Sequence, residues 1–160
     1  MRQTRMLFLV LFLGVAFTSL VKAQSTGFVG FNVLTINKVG SGGTSCIPVT
    51  IAQGKSLTLN VTSEPNAPVF LFLGINPCVI GSTRLNNCLS QSGRDEQTID
   101  VPFISIMYIG MTDASGSLTQ SISSCPSGLF FSVQAAIIKT NCPGPKPEVV
   151  VSQAFDVKCE

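Results

Sequence analysis

Apolar and small polar residues alternate along this chain in short stretches, and no stretch repeats its apolar positions at helical spacing. Within residues 56–62, Leu57, Leu59 and Val61 fall on one face and the polar residues between them on the other, which is the period of a half-buried strand. Glycine and proline separate stretches rich in valine, isoleucine and phenylalanine. The pattern predicts strands at 28–39, 56–62, 69–73, 103–112, 117–122, 129–139 and 149–157.

Two of these strands are apolar on both faces: FLFL at 70–73 and FISIMYI at 103–109. Such strands either lie in the centre of a sheet or present one face to an interface. Between residues 112 and 117, Asp113 and Gly116 are typical of a tight reversal, because aspartate bonds its own backbone and glycine adopts positive φ. This segment predicts a hairpin.

The number of strands and the regular turn signals between them predict an all-β fold. We expect a single antiparallel β-sandwich of about seven or more strands, stapled by disulfides. A closed barrel has a similar signature, and sequence separates the two poorly.

The first 23 residues have the pattern of a secretory signal peptide. A positive start containing Arg2 and Arg5 precedes an apolar run at 6–21, which is shorter than the roughly 20 residues of a membrane span. Val21 and Ala23 occupy the −3 and −1 positions of a cleavage site before Gln24. An uncleaved anchor is the alternative. We expect residues 1–23 to be removed and 24–160 to form one secreted domain, extracellular or periplasmic, with no membrane span.

The amino-acid composition excludes several kinds of catalytic and metal-binding site. Charged residues make up 11% of the 160 residues, and histidine and tryptophan are absent, which excludes a Ser-His-Asp triad, imidazole-bound zinc and a histidine pH switch. Loss of Arg2, Arg5 and Lys22 lowers the basic count from 10 to 7 against 8 acidic residues, a net charge of −1. No nucleic-acid partner is therefore expected.

Six cysteines remain after signal removal, and an even count in an oxidising compartment predicts three disulfides. A metal site or a reactive thiol is disfavoured, since the sequence has no Cys-x-x-Cys and no histidine. The six are Cys46, Cys78, Cys88, Cys125, Cys142 and Cys159.

Chain geometry favours particular pairs among these cysteines. If strands 129–139 and 149–157 form an antiparallel pair, Cys125 and Cys159 lie at the same open end. Cys78 and Cys88 are close in sequence and suit a local loop clip. Elimination then leaves Cys46 with Cys142.

A carboxylate-dependent hydrolase is the enzymatic alternative, and its candidate residues are Asp95, Glu96, Asp100 and Asp113. Such an enzyme needs two carboxyls about 5–10 Å apart across a cleft. A solvated loop before the strand at 103 explains the acidic cluster more simply. No catalytic residue is assigned.

No cofactor or metal is predicted either. Asp113 and Ser115 offer oxygen ligands for calcium, but they lack the spaced carboxylates of an EF-hand loop, and a plain turn is favoured. The triplet beginning at Asn60 is a glycosylation acceptor only in a eukaryotic source.

Four segments occur in an order that resembles a group of small exported proteins of unknown function in planctomycete-like and other environmental bacteria. They are GKSLTLNV at 54–61, PNAPVFLFLG at 65–74, DASGSL at 113–118 and GLFFSVQA at 128–135. The resemblance implies export, a β-sandwich-like domain and a bacterial source, and it brings no ligand or partner. This chain departs from the group in its six cysteines and in having Ser152-Gln153 where the relatives have Ser-Asn.

These observations favour a secreted, non-enzymatic module for binding, adhesion or attachment to a cell envelope. Two alternatives remain open: the small hydrolase, and a self-assembling surface-layer subunit that uses its doubly apolar strands. The second of these predicts a strand face left exposed in the single chain.

Overall fold

The computed structural model describes residues 33–40, 45–85, 97–140 and 148–160. Within these ranges the protein consists of strands and turns, and no helix there has the length and apolarity to cross a membrane. The strands are β1 Val33–Ile36, β2 Ile47–Ile51, β3 Leu57–Thr62, β4 Pro68–Gly74, β5 Thr83–Leu85, β6 Gln97–Ile99, β7 Ser105–Met111, β8 Ser117–Ile122, β9 Phe130–Lys139 and β10 Glu148–Cys159.

The predicted all-β class is confirmed, and each predicted strand has a counterpart among the described residues. The prediction for 117–122 matches β8 at both ends, whereas the part of strand 28–39 before Val33 and the expected signal peptide lie outside the described residues. Three short strands, β2, β5 and β6, were not predicted.

The strands form sheets with the orders β1–β3–β8, β2–β10–β9–β4–β7 and β5–β6. Neighbours run antiparallel, except that β2 runs parallel to β10 with Ile47 opposite Phe155. The expectation of a purely antiparallel fold is therefore wrong at this edge. Since β2 alternates buried Val49 and Ile51 with exposed Pro48 and Thr50, either strand direction buries its apolar face.

One apolar core lies between the three-stranded and the five-stranded sheet. The alternate residues Leu57, Leu59 and Val61 of β3 meet inward residues of the five-stranded sheet such as Leu71 and Ile137. A second cluster, centred on Phe72 and Ala136, lies on the other face of the five-stranded sheet, where Leu85 of β5 and Ile99 of β6 pack against it.

A β-bulge interrupts β10 between Val151 and Ala154, opposite β9. Three glutamines with no exposed surface, Gln97, Gln134 and Gln153, supply hydrogen bonds around it. Gln134 Nε2 donates to the carbonyl of Ser152 (2.8 Å), and the amide of Val151 donates to Gln97 Oε1 (2.9 Å). Buried backbone groups that a bulge removes from the ladder thereby keep partners.

Gln153 connects the two large sheets. Its Nε2 donates to the carbonyl of Leu34 (2.6 Å) and its Oε1 accepts from the amide of Leu34 (3.3 Å), so that the side chain bonds to β1 as a neighbouring strand would. The Ser152-Gln153 pair noted in the sequence thus lies at the bulge in β10.

The predicted pairing of Cys125 with Cys159 is confirmed, with Cα atoms 5.6 Å apart. β9 and β10 are antiparallel partners, and the carbonyls of Leu129 and Cys159 accept hydrogen bonds from the amides of Cys159 and Gly128. The two cysteines therefore meet at the same end of this strand pair, as the sequence indicated.

The other predicted pairings are wrong, because Cys46 is bonded to Cys78, with a Cα separation of 5.6 Å. Pairing of β2 with β10 places Ile47, which follows Cys46, opposite Phe155, and the amide of Cys78 donates to Oδ1 of the next residue, Asp156 (2.9 Å). This tertiary contact brings Cys78 to β2 rather than to its sequence neighbour. Cys88 and Cys142, the predicted partners of Cys78 and Cys46, lie outside the described residues.

The predicted reversal at 112–117 is a tight turn but does not form a hairpin. β7 pairs with β4 in the five-stranded sheet and β8 with β3 in the three-stranded sheet, so the turn carries the chain between sheets. Gly116 has φ +82°, and a Cβ there would lie 2.1 Å from the carbonyl oxygen of Ser63. Only glycine fits this crossing.

We expect Gln153→Leu to lower the free energy of unfolding by about 2–4 kcal/mol, because it leaves the amide and carbonyl of Leu34 buried without these bonds while keeping most of the volume. Urea unfolding measures the change. Gln120→Leu is the control, since Gln120 is exposed and its side chain bonds only one backbone carbonyl. Equal losses in the two variants would contradict the role of Gln153.

We expect the oxidised protein to be lighter by six hydrogens than its reduced form, and a non-reducing digest to yield peptides joined through Cys46–Cys78 and Cys125–Cys159. By elimination, Cys88 and Cys142 would form the third pair. Mass spectrometry of the digest identifies the disulfide-linked peptides, and a peptide joining Cys78 to Cys88 would contradict the assignment.

Candidate functional site

Strand β7 is the most exposed apolar element among the described residues. The sequence left two interpretations for it, a central strand or an interface. The central position is wrong, because β7 lies at the edge of the five-stranded sheet with β4 on one side. Ile106 and Tyr108 are each 56% exposed and Met107 is 44% exposed. The other doubly apolar strand, β4, is central, between β9 and β7.

The backbone of β7 has one row of groups facing β4 and one row facing outward. The amide of Ile104, just before β7, donates to the carbonyl of Leu73 in β4 (2.8 Å). The carbonyl of Leu73 therefore faces β7, and Leu73 lies opposite Ser105 in the antiparallel register. Because backbone groups alternate in direction along a strand, those of Ser105 and Met107 face β4 and those of Ile106 and Tyr108 face away. An outward row of this kind is a template for a further strand.

Beyond Tyr108, the regular pairing of β7 with β4 is interrupted. A register shift separates Phe70–Tyr108 from Val69–Gly110, and Gly110 has φ +135°. Gln120 Nε2 of β8 donates to the carbonyl of Ile109 (3.0 Å). The regular, outward-facing part of the edge therefore runs from Ser105 to Tyr108.

On the outer face of the sheet, β7 borders an apolar groove of about 250 Å³ lined by residues that include Phe70, Phe72 and Ile106. Aromatic rings flank it, with the centroids of Phe70 and Tyr108 5.3 Å apart and those of Phe72 and Phe103 4.7 Å apart. Exposed apolar surface next to an open strand edge is typical of an interaction site.

The hydrolase candidates do not form a described catalytic pair. Asp100 has no exposed surface, and its carboxylate accepts hydrogen bonds from Thr98 Oγ1 (2.7 Å), the amide of Gly81 (2.8 Å) and Ser45 Oγ. Its own amide donates to Gln134 Oε1 (2.9 Å). These contacts fix the segment around Gly81 and the start of β2 on the sheet, which is a structural role.

Asp113 is exposed and closes the turn between β7 and β8. Its Oδ1 accepts hydrogen bonds from the Ser115 hydroxyl (2.6 Å), the Ser115 amide (2.8 Å) and the Ser117 amide (2.9 Å). The hydroxyl of Ser115, followed by the amide of Ser117, lowers the pKa of Asp113 below its ordinary value of 3.8. The geometry is that of an aspartate-stabilised turn.

Asp95 and Glu96, the other two candidates, lie outside the described residues. Within the described ranges, no group of three or more histidine, cysteine, aspartate or glutamate side chains is arranged to hold a metal ion. Asn60 lies on the middle strand of the three-stranded sheet, and its Nδ2 donates to Thr119 Oγ1 (2.8 Å).

A buried ion pair went unpredicted. Lys139 Nζ lies 3.7 Å from Glu64 Oε2, and both side chains are less than a tenth exposed. Burial lowers the pKa of Lys139, an effect that Glu64 opposes. Glu64 Oε1 also accepts hydrogen bonds from the amide and hydroxyl of Thr140 (2.7 and 3.1 Å). The pair fixes the end of β9 to the segment between β3 and β4.

Comparison with known protein families and with curated proteins finds no match to this chain.

We expect the charge of Asp113 to contribute stability that is full above pH 3.8 and is lost as the pH falls through its lower pKa in the folded state. Asp113→Asn keeps the shape of the side chain and removes the charge. Urea unfolding at neutral pH should therefore show a less stable variant, and the difference should shrink as the pH falls below 3.8 and Asp113 becomes protonated in the folded state. A difference that persists unchanged in acid would contradict this account.

Proposed function

We propose that this chain is an exported, non-enzymatic β-sandwich that works as a protein-binding module. The core shared by the three-stranded and five-stranded sheets supports the sandwich. The disulfides Cys46–Cys78 and Cys125–Cys159 are typical of an oxidising extracellular or periplasmic compartment. The signal-like residues 1–23 and the resemblance to small exported bacterial proteins agree with this proposal.

The observation that carries the binding function is the unprotected edge of β7. Natural edge strands are kept from pairing by lysine, proline, bulges or very short length. The sequence SIMYIGM of β7 contains no charge and no proline, and its bulge lies past Tyr108. Since no strand of the described residues pairs with this side of β7, we infer that these four consecutive residues are open to a partner strand.

Recognition then proceeds by strand addition. An extended segment of a partner pairs with the outward amides and carbonyls of Ile106 and Tyr108, and its side chains alternate between the two faces of the sheet. On the outer face they meet Ile106, Tyr108 and the aromatic groove, and on the inner face they meet Met107. Backbone pairing supplies affinity, and the apolar groove selects the partner's side chains.

A second copy of the chain is the simplest partner. Antiparallel pairing of β7 with itself about Met107 places Ile106 opposite Tyr108, and no like charges meet along SIMYIGM. This arrangement corresponds to the self-assembling subunit that the sequence left open, a hypothesis that predicted an exposed strand face in the single chain. The hypothesis of a carboxylate-dependent hydrolase gains no support, since the carboxylates of Asp100 and Asp113 both accept structural hydrogen bonds.

We expect the protein to self-associate through β7 and Ile106→Lys to prevent this, because an edge lysine would be buried by a partner strand. Sedimentation equilibrium over a concentration series measures the association. Val79→Lys is the matched control: Val79 is 58% exposed, against 56% for Ile106, and lies outside β7.

A wild-type protein that stays monomeric would exclude the second copy and leave a foreign strand as the partner. A synthetic peptide with the sequence SIMYIGM then probes the edge by fluorescence anisotropy. If neither the protein nor this peptide binds, or if both lysine variants behave alike, the proposed role of β7 is wrong.

A further inference from the structure

A cleft of about 380 Å³ opens between the two large sheets at one end of the molecule. Leu57 and Leu59 of β3 line one wall, and Leu71 of β4 and Val133 of β9 line the other. These residues belong to the core and are 5% exposed or less, so the cleft reaches into the interior. Its volume is more than twice that of the roughly 150 Å³ apolar cavity that binds benzene.

The lining is almost purely hydrocarbon. Apart from Ser105 and Gly74, the described residues around the cleft are leucine, isoleucine, valine, methionine and phenylalanine. Water in such a space finds too few hydrogen-bond partners to be held there, and a polar ligand group would lose its solvation without compensation. The cleft therefore suits a ligand portion without polar atoms.

The shape of the cleft restricts the ligand further. Packed sheets lie about 10 Å apart, so the space between them is a slot. Along β4 the lining extends from Leu71 past the strand end to Ile75, four residue steps or roughly 13 Å for extended chain. A long, narrow slot fits an unbranched chain better than a fused ring system.

The entrance is apolar as well. Ile75, Ile104 and Ile122 line the cleft and are 63%, 66% and 49% exposed. Grouped exposed isoleucines beside a cavity are typical of a binding groove rather than of an ordinary surface. A chain that enters here covers part of these side chains as well as the interior leucines.

We propose that this cleft binds an unbranched hydrocarbon chain, such as the tail of a fatty acid or the acyl chain of a lipid, with its polar end left in solvent. The site differs from that of strand addition, because its ligand is held by side chains on the inner face of the sheet rather than by the outward backbone groups of β7, and only Met107 contributes to both. Either proposal stands if the other fails.

The test is titration calorimetry with straight-chain fatty acids and the matched primary alcohols, kept below their aggregation concentrations. Affinity should rise about fourfold per added methylene and level off once the slot is full. Acid and alcohol of equal length should bind alike, because the described lining holds no charge to read the head group. Absence of saturable binding, or binding of acids alone, overturns the proposal.

The two sources of such a chain are distinguished with phosphatidylcholine vesicles. Co-sedimentation of the protein with vesicles, lost when the cleft is filled, identifies a membrane lipid. Binding of the dispersed acids without co-sedimentation identifies a free chain. Both results support the hydrocarbon site.

Cleft-filling variants locate the binding. Met107→Trp and, independently, Leu73→Trp place a ring in the slot, and both positions have exposed surface that lets a larger side chain be accommodated. We expect each to weaken binding of the longest saturating acid at least tenfold. Val79→Trp is the control, since Val79 is exposed and does not line the cleft. If both filled variants fold and bind as the wild type does, the cleft is not the site.

Discussion

The arrangement of the sheets depends on the hydrogen bonds that replace those lost where the pairing of β10 with β9 is interrupted. The bulge between Val151 and Ala154 would leave backbone groups unpaired in an apolar interior. Buried glutamine amides bond those groups and at the same time reach other layers: Gln153 bonds β1, and Gln134 bonds both Thr98 and Asp100 beside β6. Because each amide has donors and an acceptor in fixed directions, the network fixes the register of the layers as apolar packing alone would not.

Because of this network, the two sides of the described molecule are held together by different kinds of contact. At the β10 side, covalent and polar links combine: Cys46–Cys78, the carboxylates of Asp100 and Asp156, and the glutamines. At the β7 side, the described links between the sheets are apolar contacts, the turn closed by Asp113 and one hydrogen bond from Gln120. Both the open strand edge and the apolar cleft lie on this second side. The half that is held by covalent and polar links thus supports the half that carries the proposed binding surfaces, in the way that a scaffold positions recognition sites.

The sequence predicted β3 from its strongly alternating pattern, and it predicted Cys125–Cys159 because that pair follows from two adjacent strands. It missed β2, where Pro48 argues against a strand although an edge strand tolerates it. Two further errors have separate causes. A strand that is apolar on both faces fits a central position and an interface equally well, and cysteines close in sequence need not be close in space. The buried glutamines and the Lys139–Glu64 pair could not be foreseen, since polar residues are counted as exposed unless their tertiary partners are known.

The parallel pairing of β2 with β10 also sets an order of events in folding. β2 begins at Ile47, and its only described sheet neighbour is β10. The amide of Leu34 likewise bonds to Gln153, 119 residues further along the chain. Contacts so distant in sequence close slowly. The five-stranded sheet is therefore complete only once β10, which lies between β2 and β9, is available. If the chain is exported in extended form, as we propose, this delay is useful, because folding before export would block its passage through the membrane.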